Sequence, residues 1–221
     1  MIEINDFMLK NPSMRLQPVS RAGDTILSGK IHFRRQYKEI SIDDSYSLSI
    51  SIPQNCPLDI PNVVETEQKI PHKSEFHINP DGSLCLGSPL RIMFLLNKTQ
   101  DLNSYYEHFI IPYLFAVSVK LRDNSKGMIF DELAHGKKGV VDDYAQLFGI
   151  TTMSEDRRSE QVERVLWLLT KSRKNARKKK CFCGCSKPVK HCRSYRYIRM
   201  YWKILPAIAW RHHFKEFKRY G

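Results

Sequence analysis

The feature that most constrains the fold of this chain is the order of its periodic segments. Strand patterns come first, and helix patterns follow. Residues 46–52, YSLSISI, alternate apolar and polar side chains as a half-buried strand does. Residues 25–40 indicate an earlier strand and residues 62–66 a later one, with a turn predicted at residues 43–45. Residues 53–61 contain three prolines, which exclude a central strand from that segment.

Helical patterns occupy the rest of the chain. Residues 103–120 are apolar and aromatic, and Pro112 must kink or divide the helix that they form. Residues 140–148 predict a helix that ends at Gly149, and Ser154 suits the N-cap of the next helix. Strands followed by helices predict an α+β fold.

The charge of the chain is concentrated at its C-terminal end. Of the 221 residues, residues 171–221 hold 17 lysines and arginines but a single acid, Glu216. The remaining residues hold 19 basic and 22 acidic side chains and are close to neutral. Such a basic tail predicts an anionic partner, with nucleic acid as one candidate, unless it is only a solvated surface.

The longest apolar run, residues 109–119, contains Pro112 and is shorter than the about 20 residues that span a bilayer. The first ten residues lack the basic region and apolar core of a secretory signal. We therefore expect a soluble, cytoplasmic protein that does not enter a membrane.

Cys85 lies in a tight turn within residues 76–89, FHINPDGSLCLGSP. A thiolate is a strong nucleophile and a good leaving group, so it is suited to carry an acyl group as a thioester. Gly82 permits the unusual dihedral angles that such a turn needs. The alternative is that Cys85 is a small buried hydrophobe, which is how we interpret Cys56.

The proline-rich segment and this turn together resemble ubiquitin-conjugating enzymes. Residues 46–66 are similar to the family's strand, proline-rich segment and following strand. Gly82 and the run Leu84-Cys85-Leu86 match the turn that carries the family's thioester cysteine. His77 and Asn79 match its His-Pro-Asn motif, with Ile78 in place of proline. The resemblance covers about residues 24–120 and looks closest to divergent bacterial members found in antiviral defence operons.

The resemblance implies a fold in which an antiparallel meander sheet precedes the helices, and an enzyme that carries a protein C-terminus on Cys85. It also implies that Asn79 stabilises the oxyanion during transfer to an amine, while His77 orders the loop. The partners that it implies are a ubiquitin-like protein, an activating enzyme and a target protein, for which a nucleotide cyclase is one candidate. Two departures stand out: five residues separate Asn79 from Cys85 where the family has seven, and the family's long N-terminal helix is at most a stub.

The general base that would deprotonate the acceptor amine is left open by the sequence. Asp81, inside the turn, and Asp101, further along the chain, are the two candidates for this role.

A second group of cysteines lies in residues 181–192, CFCGCSKPVKHC. Four clustered thiols in a reducing compartment favour zinc over disulfides, and four protein ligands would make the metal structural. The segment resembles the zinc motif at the C-terminus of the bacterial preprotein translocase motor, where the motif serves protein contacts. Its matching residues are Cys181, Cys183, Gly184 and Cys192.

The fourth ligand of this motif has no direct counterpart, because Arg193 stands where the translocase has cysteine or histidine. His191 or Cys185 would have to replace it, and we take His191 as the first choice. Free, oxidisable thiols are the alternative to a metal site.

Three segments are therefore predicted. Residues 1–150 form the ubiquitin-conjugating-like domain, residues 151–180 a helix with a basic linker, and residues 181–221 a zinc knuckle with a basic helix. Two other functions remain open: an inactive scaffold that binds a ubiquitin-like protein, and a nucleic-acid-binding protein that acts through its tail.

Overall fold

The computed structural model describes residues 2–123 and 136–219. The chain divides into two compact units, Met1–Glu132 and Leu133–Gly221. The predicted helix at residues 140–148 is observed as Gly136–Phe148. It belongs to the second unit, although the sequence analysis assigned it to the first 150 residues.

The first unit is built on one antiparallel sheet. Its strands are β1 (Met14–Leu16), β2 (Thr25–Tyr37), β3 (Ile40–Ile52) and β4 (Asn62–Glu65). They are hydrogen-bonded in the order β1-β2-β3-β4, with every neighbouring pair antiparallel. The predicted α+β class and the meander sheet are confirmed, and β1 is a strand that the sequence analysis missed.

The turn between β2 and β3 differs from the prediction. Tyr37 pairs with Ile40, so Lys38 and Glu39 form the turn, and Lys38 adopts a left-handed conformation with φ 53°. The turn predicted at residues 43–45 is wrong, because those residues lie inside β3. Asp43 is compatible with a strand there because Arg34 stands opposite it on β2.

Besides a turn of 3-10 helix at Ser74–Phe76, five helical segments are found in the described part of the first unit. They are α1 (Asn5–Lys10), α2 (Pro89–Thr99), α3 (Leu102–Tyr105), a turn of π-helix (Tyr106–Ile110) and α4 (Ile111–Arg122). The predicted helix is thus observed as consecutive helical segments, and Pro112 lies in the first turn of α4, directly after the π-helical turn.

The core of the first unit lies between the sheet and α4. Tyr46, Leu48 and Ile50 of β3 are fully buried, and Leu114 and Val117 of α4 are buried in the same cluster. The alternation in the sequence therefore marks the buried face of the strand correctly.

A buried polar network joins β3 to α4. The Tyr46 hydroxyl and Ser118 Oγ are 2.7 Å apart, and Ser118 Oγ donates to Asp44 Oδ2 at 3.0 Å. Lys69 forms an ion pair with Asp44. Burial acts to raise the pKa of Asp44, but the hydrogen bonds from Lys69, Ser118 and the Ser45 N–H outweigh it and hold this pKa below its usual range.

The second unit is helical. It contains α5 (Gly136–Phe148), α6 (Glu155–Leu169), α7 (Arg173–Ala176), α8 (Tyr195–Ile204) and α9 (Ala207–Arg219). The interruption predicted at Pro206 is confirmed, since Pro206 separates α8 from α9. Ser154 takes the predicted N-cap position of α6, although its side chain makes no capping hydrogen bond.

The α6 helix is the centre of the second unit and packs against α5, α8 and α9. Its buried residues include Val162, Val165 and Leu166. Tyr201 and the fully buried Trp210 meet edge to face, with ring centroids 6.1 Å apart. Within residues 2–123 and 136–219, no helix is both long and apolar enough to span a membrane.

Candidate thiol site and cysteine cluster

The turn that carries Cys85 is attached to the edge of the sheet. Leu84 donates its N–H to the Val63 carbonyl of β4 at 2.8 Å, and Ser83 forms an antiparallel bridge with Val64. The Cys85 N–H donates to the His77 carbonyl at 2.8 Å, which closes the turn on the other side. These backbone hydrogen bonds fix the position of Cys85 in the turn.

The α4 helix fixes the segment that leads into the turn. Tyr113 donates its hydroxyl hydrogen to the Phe76 carbonyl at 2.7 Å, and Lys120 donates to the Glu75 carbonyl at 2.8 Å. His77 follows in a left-handed conformation with φ 52° and is buried. In this geometry His77 orders the loop through its backbone, by accepting the hydrogen bond from Cys85. The sequence gives no signal for these two contacts, because Tyr113 and Lys120 come from a distant helix.

The side chains at the tip of the turn are bonded to one another. Asn79 Nδ2 donates to Ser83 Oγ at 3.0 Å, and Ser83 Oγ donates to Asp81 Oδ1 at 2.6 Å. The Ser83 N–H donates to the same carboxylate oxygen at 3.0 Å. These bonds from Ser83 lower the pKa of Asp81, so Asp81 is a weak base at neutral pH.

Asp101 has a structural position. Its carboxylate caps α3 by accepting from the N–H groups of Asn103 and Ser104 and from the Ser104 hydroxyl, at 2.7–3.0 Å. Both carboxylates considered as general base therefore accept hydrogen bonds from neighbouring N–H groups and hydroxyls.

Cys85 is an exposed residue, while the adjacent Leu84 is only 5% exposed. Although the residue reaches solvent, the protein atoms around the thiol raise its pKa, and a hydrogen bond from the Gly87 N–H opposes this only in part. Cys56 differs because it is buried, and burial raises its pKa to about 12. Of these two thiols, Cys85 is the one that a reactant can approach.

The second group of cysteines lies on a small folded loop of the second unit. Lys180 pairs with Pro188, and the Cys181 N–H donates to the Lys187 carbonyl at 2.9 Å. Gly184 (φ 81°) reverses the chain between these two arms, where a side chain would be strained. Phe182 and Val189 of this loop are buried.

Four sulfur atoms converge in this loop, those of Cys181, Cys183, Cys185 and Cys192, all within 4.8 Å of one another. The Sγ atoms of Cys183 and Cys192 are 3.3 Å apart, which is too far for a disulfide. A tetrahedral zinc site with Zn–S bonds near 2.3 Å needs sulfurs about 3.8 Å apart. The four thiols can therefore hold a metal ion, and the group contains Cys185 rather than His191.

The pKa values of the thiols in the cluster are shifted in opposite directions. Burial acts to raise the pKa of Cys192, but hydrogen bonds from the Ser194 N–H and from the Cys181 and Cys183 thiols lower it to about 6. Burial raises the pKa of Cys181. The hydrogen bonds within the cluster therefore favour the thiolate form of Cys192 over that of Cys181.

Comparison of the chain with protein-family models, with curated proteins and with solved structures finds no match.

Proposed function

We propose that the first unit is a ubiquitin-conjugating-like acyl carrier that holds a protein C-terminus as a thioester on Cys85 and passes it to an amine of a target. The observation that carries this proposal is that Cys85 is an exposed residue in a turn whose backbone is held by two hydrogen bonds, from the Leu84 N–H to the sheet edge and from the Cys85 N–H to His77. A rigid, accessible thiol is what a carrier needs, because the donor and the acceptor must both reach the same sulfur.

The reaction has two balanced steps. The Cys85 thiolate attacks the carbonyl carbon of a donor thioester, and the donor's thiolate leaves and takes up the thiol proton through solvent. An amine then attacks the new thioester, Cys85 leaves as a thiolate, and the amine proton passes to water or buffer. By its resemblance to defence-operon proteins, we place this activity in bacterial antiviral defence, with an activating enzyme as donor.

Asn79 is our proposed donor to the oxyanion of the second step. Its amide carries two hydrogens, and one of them is used on Ser83 Oγ. Asn79→Ala should leave loading of Cys85 intact and slow aminolysis by about 100-fold, the usual effect of losing one such donor. Ser83→Ala is the matched control, because it removes the bond that braces the amide, together with the bond from Ser83 Oγ to Asp81, and leaves the amide itself in place. Equal slowing in both variants would assign Asn79 to the turn and not to the oxyanion.

The carrier function is tested without the activating enzyme. The donors are C-terminal mercaptoethanesulfonate thioesters of the proteins encoded beside this chain's gene, and the product is read by non-reducing gels and mass spectrometry. We expect a thiol-sensitive adduct that is absent in Cys85→Ala, becomes a stable ester in Cys85→Ser and persists in Cys56→Ala. Folded protein that forms no adduct with any donor would refute the carrier.

An inactive scaffold that only binds a ubiquitin-like protein is the second candidate. The raised pKa of Cys85 favours it, and so do the hydrogen bonds that hold Asp81 and Asp101 in structural positions. In that case Cys85→Ala would bind the partner as tightly as the wild-type chain and retain its biological effect.

For the second unit we propose that the four-cysteine cluster binds Zn²⁺ through Cys181, Cys183, Cys185 and Cys192. Four thiolates leave no open position on the ion, so the metal is structural and no substrate binds to it. Metal analysis of the purified chain should give one zinc per chain, and a chain folded without metal would refute this.

A further inference from the structure

A cavity of about 1350 Å³ lies within the second unit, beside the cysteine cluster. Its walls are the segment after α5, residues 157–164 of α6, the loop at residues 182–184 and the beginning of α8 with the two residues before it. The volume is larger than the about 300–1,000 Å³ of most small-molecule pockets. It therefore suits a section of an extended chain better than a single small ligand.

The walls of the cavity are strongly basic. Arg157 and Arg164 come from α6, and Arg193 and Arg196 come from the start of α8 and the residues before it. In the part of the chain that the structure describes, none of these four guanidinium groups forms an ion pair. The contrast is Arg158, the neighbour of Arg157, which is paired with Asp142.

The only acid among the described residues that line the cavity is Glu160. Four unpaired guanidinium groups around one cavity repel one another, and an anion bound between them would relieve that repulsion. Zinc held by four thiolates carries a net charge of about −2, so the cluster could balance part of the charge near Cys183. The cluster does not balance the positive charge of Arg157 and Arg164, which come from a separate helix.

Aromatic rings lie beside two of the arginines. The Arg164 guanidinium is 4.4 Å from the centroid of the Trp167 ring and donates to the Lys180 carbonyl at 3.2 Å. The Arg196 guanidinium is 4.8 Å from the centroid of the Tyr197 ring, which itself lines the cavity. A planar cation beside a half-buried ring offers a phosphate contact and a stacking surface at neighbouring positions.

We propose that this cavity binds single-stranded nucleic acid. Its arginines contact successive phosphates, for which the guanidinium fork is well matched, and Tyr197 stacks on a base. An acidic peptide would use the same charges, but it has no base to stack on the ring. The proposal is independent of Cys85 and of the acyl transfer proposed for the first unit.

The test is fluorescence-anisotropy binding of the full zinc-loaded chain to a labelled oligouridylate of about ten nucleotides, over a series of salt concentrations. The cavity variant is Arg157→Gln with Arg196→Gln. Its matched control is Arg199→Gln with Arg211→Gln, two exposed arginines of α8 and α9 that do not line the cavity. Both variants remove two charges from the same unit, and circular dichroism and zinc content establish that both are folded.

We expect the cavity variant to bind the oligonucleotide at least about tenfold more weakly. The slope of log K against log salt should fall in magnitude by about 1.4, which is the loss of two phosphate contacts on a single strand. The control should lose less than about threefold. Tyr197→Leu should weaken binding by about fivefold or more with the slope unchanged, because stacking releases no counterions.

Three results would overturn the proposal. Equal losses in the cavity variant and its control would assign binding to the general charge of the tail. Binding of polyglutamate as tightly as the oligonucleotide would identify an acidic protein partner instead. No binding of the oligonucleotide at low salt by folded, zinc-loaded protein would exclude the nucleic-acid site.

Discussion

Replacement of Cys185 by serine tests which side chain completes the cysteine cluster. The four sulfurs lie within 4.8 Å of one another, so each is close enough to share one ion, and His191 is outside this group. Structural zinc sites have apparent binding free energies of about 10–16 kcal/mol over four ligands, or about 2.5–4 kcal/mol for each. At about 1.4 kcal/mol per factor of ten, Cys185→Ser should weaken zinc binding by roughly two to three orders of magnitude.

The assay is competition for zinc with a chromophoric chelator at fixed pH, because the protonation of the thiols also changes the affinity. His191→Ala is the control, since His191 is exposed and belongs to the same loop. We expect His191→Ala to retain the wild-type affinity within about threefold and Cys183→Ser to resemble Cys185→Ser. If His191→Ala loses zinc while Cys185→Ser keeps it, the geometric argument is refuted and His191 is the fourth ligand.

Three further predictions concern the thiol and the two cores. Because its pKa is raised, Cys85 is mostly protonated at neutral pH, so its alkylation by iodoacetamide should accelerate about tenfold per pH unit between pH 7 and 9. Peptide mass spectrometry measures the rate, and a rate that does not change with pH would contradict this prediction. Trp210→Ala should destabilise the second unit by about 3–5 kcal/mol, because the fully buried ring leaves a cavity, and urea unfolding followed by the fluorescence of the other tryptophans measures it. Ser118→Ala should lower the free energy of unfolding by only about 1 kcal/mol, since the Tyr46 hydroxyl still lies 3.5 Å from Asp44. Unfolding followed by far-ultraviolet circular dichroism measures this change, and a loss above about 3 kcal/mol would mean that the Tyr46 hydroxyl is left without a hydrogen bond.

The strand faces and the class of fold could be predicted because they depend on local periodicity. Every second residue from Tyr46 to Ile52 is buried, as the alternation requires, and the proline at residue 206 ends a helix wherever that helix packs. The turn at residues 43–45 could not be excluded from composition. Asp44 is kept inside the strand by Ser118 and Lys69, which are distant in sequence.

The candidate sites divide in the same way. The sequence by itself identified the cysteines, because a thiol has few roles and its spacing in residues 181–192 is unusual. The sequence left His191 and Cys185 as alternatives. The direction in which each side chain points depends on how the loop folds, and the sequence does not show this.

Only the tertiary structure brought Arg157 of α6 beside Arg196 of α8 around one cavity. The sequence could count basic residues in the tail, but it assigned residues 133–170 no part in that charge. Charge density is a local property of a chain, whereas a binding site depends on distances between segments. Those distances are set by how α6 packs against its neighbouring helices.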